Sequence, residues 1–211
     1  MQTPLKTGLV WFRRDLRIHD NAALATALQQ CERVHCVFVF DKDILDSLPS
    51  ADRRVEFIQA SVTELDASLR AAAGDDRCGL ITLHDRASTA IPALAASLGV
   101  QAVFAGKDYE PTALERDAMV SGALRAHSIS FNTLKDHVIF EEREVLTQTG
   151  KPYGVYTPYQ RAWYAKLEVT GLPSYASAEL RGRLLPRPQA HAATVPSLNA
   201  LGFEATNLSQ L

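Results

Sequence analysis

A charged stretch near the start of the chain holds the residue types best suited to ligand binding. Residues 11–17 read WFRRDLR and begin inside an apolar run at residues 8–12. A guanidinium donates several hydrogen bonds in one plane, and an aromatic ring offers an apolar face. The stretch is therefore suited to form one wall of a pocket for a planar ligand. The binding residues predicted here are Trp11, Phe12, Arg13 and Asp15.

The same stretch also admits a purely structural interpretation. Its three arginines would pair with Asp15 and Asp20 and hold the loop over the sheet edge, because partly buried charges need partners. Asp20 or Asn21 would then cap the helix that follows. The two interpretations are compatible. The glycine-rich turn of a phosphate loop is missing from the stretch, so a pyrophosphate on this helix N-terminus is not expected.

A second stretch whose residue types could bind a ligand is GKDYEP at residues 106–111. A carboxylate such as Glu110 accepts hydrogen bonds well from two N–H groups on the edge of a heterocycle, and Tyr109 would pack against that ring. In the structural alternative, Asp108 and Glu110 favour the positive end of the following helix and the lysine is solvated. Asp108, Tyr109 and Glu110 are the predicted binding residues.

Apolar runs alternate with helical patterns along the first two thirds of the chain, which indicates an α/β fold. Five parallel strands joined by right-handed crossovers give a doubly wound, Rossmann-like sheet with the common order 3-2-1-4-5. In that order, the loops after the first and fourth strands face each other across a crevice, which brings both stretches together. The predicted strands span 8–12, 34–40, 80–83, 102–105 and 128–134, and the helices 21–32, 51–73, 89–98 and 111–126.

The second of these helices has one apolar stripe, and it is expected to be scaffold. Val55, Ile58, Val62, Leu65 and Leu69 recur at steps of three and four, which places them on one face against the sheet. Gly74 suits the end of this helix.

Composition excludes several classes of protein. The 211 residues carry a net charge of -2, which is not the basic surface of a protein that holds nucleic acid by charge. Cys31, Cys36 and Cys78 have no metal-ligand spacing and are expected to be reduced core residues, so no metal site is predicted. No apolar run approaches the ~18 residues of a membrane span, and no signal segment is apparent, which predicts a cytoplasmic protein.

One family resemblance rests on the first stretch. Trp-Phe-Arg-Arg-Asp-Leu-Arg-x-x-Asp-Asn-x-Ala-Leu, from Trp11 to Leu24, closely resembles the N-terminal signature of the DNA photolyase and cryptochrome family, most of all the bacterial cyclobutane pyrimidine dimer photolyases. The resemblance implies an α/β domain that binds a light-harvesting antenna chromophore. For a whole photolyase it implies blue-light repair of pyrimidine dimers, driven by FAD.

The resemblance extends to the second stretch. Asp-x-Glu-Pro at 108–111, with Arg116 and Asp117 beyond it, looks like the antenna loop of photolyases. Methenyltetrahydrofolate is then the implied chromophore, with Glu110 matching the carboxylate that holds its pterin. The alternative is 8-hydroxy-5-deazaflavin, placed by residues that match Asp41 and Arg54. Without the resemblance, Asp41 is a strand-end residue and Arg54 a solvated helix charge.

The chain after residue 135 differs in character. We expect residues 1–135 to form the antenna-binding domain and residues 136–211 an interdomain linker, which has weak periodicity and a short helix through Trp163 to Leu167. Its aromatic residues are expected to pack against a neighbouring domain rather than to stack on single-stranded nucleic acid. They are Tyr153, Tyr156, Tyr159 and Trp163.

The resemblance also implies what this chain lacks. In the family, FAD, the electron relay and the DNA contacts lie in a helical C-terminal half, so the fragment is not expected to be catalytic alone. It is also expected to be monomeric. A cryptochrome photoreceptor is the alternative within the family. From other classes, a free-standing nucleotide-binding module would be expected to show a glycine-bearing phosphate loop, and an interaction domain has only the linker aromatics in its support.

Overall fold

The fold was determined as a computed structural model, which describes residues 3–175 and 179–208. Five parallel strands form one sheet in the order β3-β2-β1-β4-β5, as the sequence predicts. The elements are β1 (Leu5–Phe12), α1 (Ala22–Gln30), β2 (Cys31–Asp41), α2 (Lys42–Leu45), α3 (Arg53–Ala73), β3 (Leu80–Asp85), α4 (Ala87–Ser97), β4 (Ala102–Gly106), α5 (Pro111–Ala126), β5 (Ser130–Leu134) and α6 (Tyr156–Thr170).

Strand β1 is buried on both faces, because helices cover both sides of the sheet. Val10 and Phe12 pack into the cluster that includes α1 and α3. Leu9 and Trp11 point to the opposite side and pack with α4 and α5. Alternation along the strand therefore directs Trp11 towards α5, although every residue from Leu9 to Phe12 is apolar.

Helix α3 confirms most of the predicted stripe and corrects one member. Val55, Val62, Leu65 and Leu69 are buried against the sheet, whereas Ile58 is 36% exposed. Ile58 lies near the helix N-terminus, where α3 extends to the edge of the cleft described below. Gly74 ends the helix with φ of +67°, a conformation that favours glycine.

The three cysteines are buried, as the sequence predicts for core residues. Cys78 donates from Sγ to the carbonyl oxygen of Leu184 at 3.2 Å. Burial raises the pKa of the Cys31 thiol to about 11, so this thiol is protonated at neutral pH.

The chain after residue 135 forms two unlike parts. Helix α6 is longer than predicted and has no buried residue. Residues 179–208, the return segment, come back to the sheet, where Leu184 pairs with Val34 in a parallel bridge. The division of the chain at residue 135 stays a prediction, and residues 176–178 and 209–211 of the predicted linker lie outside the described residues. The return segment buries Leu180, Leu184, Leu201 and Phe203 in the core.

The described residues contain neither a membrane-spanning helix nor a metal-binding cluster. None of their helices has the length and apolar character that crossing a membrane requires. Within the same part of the chain, no three His, Cys, Asp or Glu side chains come together as a metal site would need.

Candidate binding cleft

A cleft of about 680 Å³ opens at the carboxyl ends of β1, β2 and β4, between α2 and α3 on one side and α5 on the other. This is the switch point of the doubly wound sheet, where such folds bind ligands. The volume lies within the usual range for small-molecule sites. The cleft brings together six of the sequence-predicted residues, namely Trp11, Phe12, Arg13, Asp41, Asp108 and Glu110.

Trp11 forms the inner wall of the cleft, together with two guanidinium groups. The Cζ atoms of Arg13 and Arg116 lie 4.7 and 5.0 Å from the centre of the indole ring. Phe131 stacks against the same ring at a centroid distance of 6.3 Å. The indole is 2% exposed, so its position is fixed by packing and by cation–π contacts.

Asp117 holds both of these guanidinium groups. Its two oxygens accept from Nη1 of Arg13 at 2.7 and 2.8 Å, and Oδ1 also accepts from Nη2 of Arg116 at 2.9 Å. The Arg13 side chain is only 7% exposed, and this burial lowers its pKa against the opposing effect of Asp117. Nη2 of Arg13 also donates to the carbonyl oxygen of Gly106. Arg13 is therefore a rigid part of the cleft wall.

Arg14 crosses the mouth of the cleft. Its Nη2 lies 2.6 Å from Oε1 of Glu110, and its Nε lies 3.3 Å from Oδ2 of Asp108. The hydrogen bond to Glu110 raises the pKa of Arg14. Both members of the Arg14–Glu110 pair are more than half exposed, so the pair contributes less than about 1 kcal/mol to stability.

The ion pairs of the first loop correct the sequence-based structural interpretation. Arg13 pairs with Asp117, Arg14 with Asp108 and Glu110, and Arg17 with Asp136. The arginines do not pair with Asp15 or Asp20, because the topology places other loops and α5 within closer reach. Long-range pairing of this kind is not visible in local sequence.

Asp15 braces the loop and does not line the cleft. Its Oδ1 accepts from the backbone N–H of Arg13 at 2.9 Å, and its backbone carbonyl accepts from Nδ2 of Asn21 at 3.0 Å. Asn21 in turn caps α1, since its Oδ1 accepts from the N–H of Leu24 at 2.8 Å. Of the two predicted caps, Asp20 and Asn21, the structure uses Asn21.

Asp41 lies at the end of β2 and is only 8% exposed. Its Oδ1 accepts from the N–H groups of Asp43 and Ala87, both at 3.2 Å, so it serves the starts of α2 and α4 together. Burial raises the pKa of this carboxyl group. Asp41 therefore places a partly desolvated acceptor in the cleft.

Arg54 and Tyr109 lie away from the cleft. The Arg54 side chain is 72% exposed and pairs with Asp52, with 2.5 Å between Nη2 and Oδ2. The Tyr109 hydroxyl donates to Glu141 at 3.2 Å. Its pKa is raised, mainly by partial burial and then by the negative charge of Glu141. Lys107 also pairs with Glu141, at 2.8 Å, rather than being simply solvated.

Sequence reasoning missed one whole side of the cleft. Helix α5 contributes five residues, four of them at spacings of three and four, which a helical pattern starting at the second loop would have revealed. Two isoleucines, Ile44 and Ile58, form part of the opposite side. The missed α5 residues are Thr112, Ala113, Glu115 and Met119, whereas Arg116 was noted only as part of the family resemblance.

The cleft contains more carboxylates than guanidinium groups. It is lined by Asp41, Asp43, Asp108, Glu110 and Glu115 against Arg13, Arg14 and Arg116. Such a donor and acceptor set, combined with aromatic and aliphatic walls, fits a planar heteroaromatic molecule with N–H groups on its edge.

The sheet order and the cleft at its switch point define a doubly wound α/β domain. Residues 8–179 match the family model described as DNA photolyase. The chain therefore belongs to the DNA photolyase family.

A curated relative supports this membership. The chain is 32% identical over 200 residues to a deoxyribodipyrimidine photo-lyase of Synechococcus sp., a match that covers 93% of this chain and 40% of the relative. The chain thus spans well under half the length of that protein.

Two solved structures share the fold. A class III photolyase from Agrobacterium tumefaciens superposes with a TM-score of 0.71 at 24% identity, covering 94% of this chain and 38% of that one. An archaeal photolyase from Sulfolobus tokodaii gives a TM-score of 0.63 at 24% identity, covering 82% and 37%. The latter was solved with two FAD molecules, which were taken to imply a novel light-harvesting cofactor.

Proposed function

We propose that this chain is the antenna-chromophore-binding domain of a deoxyribodipyrimidine photolyase, whose whole protein repairs cyclobutane pyrimidine dimers under blue light. The cleft carries the proposal, because it combines a fixed indole wall with carboxylate and guanidinium groups at the switch point of the sheet. Family membership and the short span of the chain relative to its curated relative support the proposal. FAD and DNA would bind the part of the protein that follows.

The charges of the cleft favour methenyltetrahydrofolate over 8-hydroxy-5-deazaflavin. The methenyl bridge of the folate is a delocalised cation, whereas the hydroxyl group of the deazaflavin ionises to an anion. A cleft with two more carboxylates than guanidinium groups attracts the cation and repels the anion. We therefore propose the folate as the chromophore and the deazaflavin as its alternative.

Different residues of the cleft would then contact different parts of the chromophore. The pterin carries adjacent amino and ring N–H donors, which suit a carboxylate such as Asp41 or Glu110. Trp11, whose ring both guanidinium groups contact, would limit how deeply the ring of the ligand enters and exclude water from one side. The bound chromophore would absorb light and pass the excitation to a flavin elsewhere in the protein.

The proposal is tested by absorption titration of the purified chain with methenyltetrahydrofolate, 8-hydroxy-5-deazaflavin, FAD and adenine nucleotides. We expect saturable folate binding that Asp41→Asn and Glu110→Ala each weaken about tenfold, the loss of one charge-assisted hydrogen bond. Asp76→Asn is the matched control, since the side chain of Asp76 is 98% exposed and does not line the cleft. Binding of adenine nucleotides without either chromophore would overturn the antenna assignment in favour of a nucleotide module.

The identity of the whole protein needs a separate assay. A cryptochrome photoreceptor is the alternative to a photolyase, and it would bind an antenna without repairing DNA. Light-dependent loss of pyrimidine dimers from irradiated DNA, measured with the complete protein, separates the two.

A further inference from the structure

A second cavity adjoins the cleft on the far side of Arg14. This groove, about 450 Å³ in volume, lies between the β1–α1 loop and one face of α3. Arg14 lines both cavities, so the two meet at its side chain. The groove is lined by Arg14, Leu16, Arg17, Ile18 and His19 from the loop and by Phe57, Ser61, Glu64, Leu65 and Ser68 from α3.

The groove has the opposite charge character to the cleft. Its ionised side chains are the guanidinium groups of Arg14 and Arg17 and the single carboxylate of Glu64. The side chains of Arg14 and Arg17 are 54% and 43% exposed, so both can still reach a ligand while they hold their present partners. A ligand that spans both cavities would therefore meet an excess of carboxylates at one end and of guanidinium groups at the other.

Arg14 has donors to spare for such a ligand. Glu110 engages Nη2 and Asp108 lies beside Nε, whereas a guanidinium group carries five N–H donors in a fixed fork. The hydroxyl of Ser68 on α3 adds a further donor along the groove wall, whereas the Ser61 hydroxyl donates to the carbonyl oxygen of Phe57 at 2.9 Å. Carboxylate and phosphate oxygens are the natural acceptors for this set.

We propose that the groove binds the anionic tail of the chromophore whose ring occupies the cleft, with Arg14 contacting the ligand where it passes between the two cavities. This inference rests on the proposed function and adds a ligand class, an elongated molecule with a planar ring and a carboxylate or phosphate tail. The glutamate of a folate and the phosphate of a flavin-type cofactor share this chemistry.

Substitutions on α3 test the proposal without touching the cleft. Ser61→Glu places a negative charge in the groove, whereas Ala60→Glu places the same charge one residue away on an exposed position that lines neither cavity. Each is titrated with methenyltetrahydrofolate and with the corresponding methenyl pteroate, which lacks glutamate. A parallel pair compares the deazaflavin with and without its phosphate tail, so that the two sources of the anion are distinguished.

We expect Ser61→Glu to weaken binding of the tailed ligand about fivefold while Ala60→Glu changes it less than about twofold, as for one partly screened charge. The tailless ligand should bind both variants like the unmodified chain, and Glu64→Gln should strengthen binding of the tailed ligand about threefold. Equal affinities of tailed and tailless ligands in every variant would refute the groove while leaving the antenna proposal intact. Failure of every chromophore to bind would instead count against the antenna proposal itself.

Discussion

Helix α6 and the return segment lie in the same part of the sequence, yet they differ in how they relate to the core. No residue of α6 is buried, and Tyr156 and Val169 are 70% and 86% exposed. The return segment buries four apolar side chains, among them Leu184 and Phe203, at 4% and 6% exposure. Helical regularity therefore does not decide which part of this region packs into the core.

Backbone pairing accounts for the difference. The N–H of Val34 donates to the carbonyl of Arg183 at 2.9 Å, and the N–H of Leu185 donates to the carbonyl of Val34 at 2.9 Å. The Arg183 guanidinium also reaches the carbonyls at the end of α1, including Leu28 at 2.6 Å and Cys31 at 2.7 Å. The return segment thus completes the start of β2 and the end of α1, two places with unpaired backbone groups of their own.

Truncating the core contacts of the return segment should lower the free energy of unfolding more than any other change proposed below. Leu184→Ala and Phe203→Ala should each lower the free energy of unfolding by about 3 kcal/mol, through lost burial and the cavity left behind. Urea denaturation of the chain measures the change. Tyr164→Ala on α6 is the matched control, because its side chain is 54% exposed. An equal loss from all three variants would show that α6 is as much a part of the folded unit as the return segment.

A second test uses pH, because the strand that the return segment joins carries a buried histidine. Burial, followed by the nearby Arg33, lowers the pKa of His35 from 6.5 to about 4. The unfolded chain therefore binds the proton first, and stability that is present above pH 6.5 is lost as the pH falls towards 4. The loss between pH 7 and pH 5 should be about 2 kcal/mol.

His35→Gln provides the control for the pH test, since it should flatten the pH dependence of unfolding in this range. Amide hydrogen exchange at pH 5 adds the comparison between regions. Protection at Val34 and Leu185 should fall together, because their hydrogen bonds belong to one bridge. Retained protection at Leu185 with loss at Val34 would contradict the coupling of the return segment to β2.

The smallest effects are expected on α6. Tyr156→Ser and Val169→Ser remove exposed apolar surface and should change the free energy of unfolding by less than about 0.5 kcal/mol. Both should raise the solubility of the isolated chain, measured as the concentration at which precipitation begins. A stability loss of more than about 1 kcal/mol would mean that α6 packs on the domain, which would remove the contrast with the return segment.

Much of the fold was predictable, for reasons that particular elements make clear. The continuous apolar run in β2 and the stripe of α3 reflect local periodicity, and the sheet order follows from right-handed crossovers. The cleft was predictable because that order determines which loops face each other. Leu184 and Phe203 have no such periodicity, and their burial depends on a bridge to a residue far away in sequence.

The side-chain directions in the candidate site were less predictable. Tyr109 lies between two cleft residues in the sequence, but it is only half-buried and its hydroxyl donates to Glu141. Arg54 bonds Asp52 at the start of its own helix. Neither orientation has a sequence signature, whereas the spacing of Glu115, Arg116 and Met119 along α5 could have been recognised from the sequence alone.

The indole of Trp11 in the cleft wall also allows ligand binding to be followed by fluorescence. The chain has two tryptophans, Trp11 in the cleft wall and Trp163 on α6. Replacing Trp163 with phenylalanine would leave Trp11, which lines the cleft, as the single tryptophan emitter. A bound ring that absorbs at the emission wavelength of this tryptophan would quench its ultraviolet fluorescence. The loss of fluorescence would therefore measure how much of the cleft is occupied.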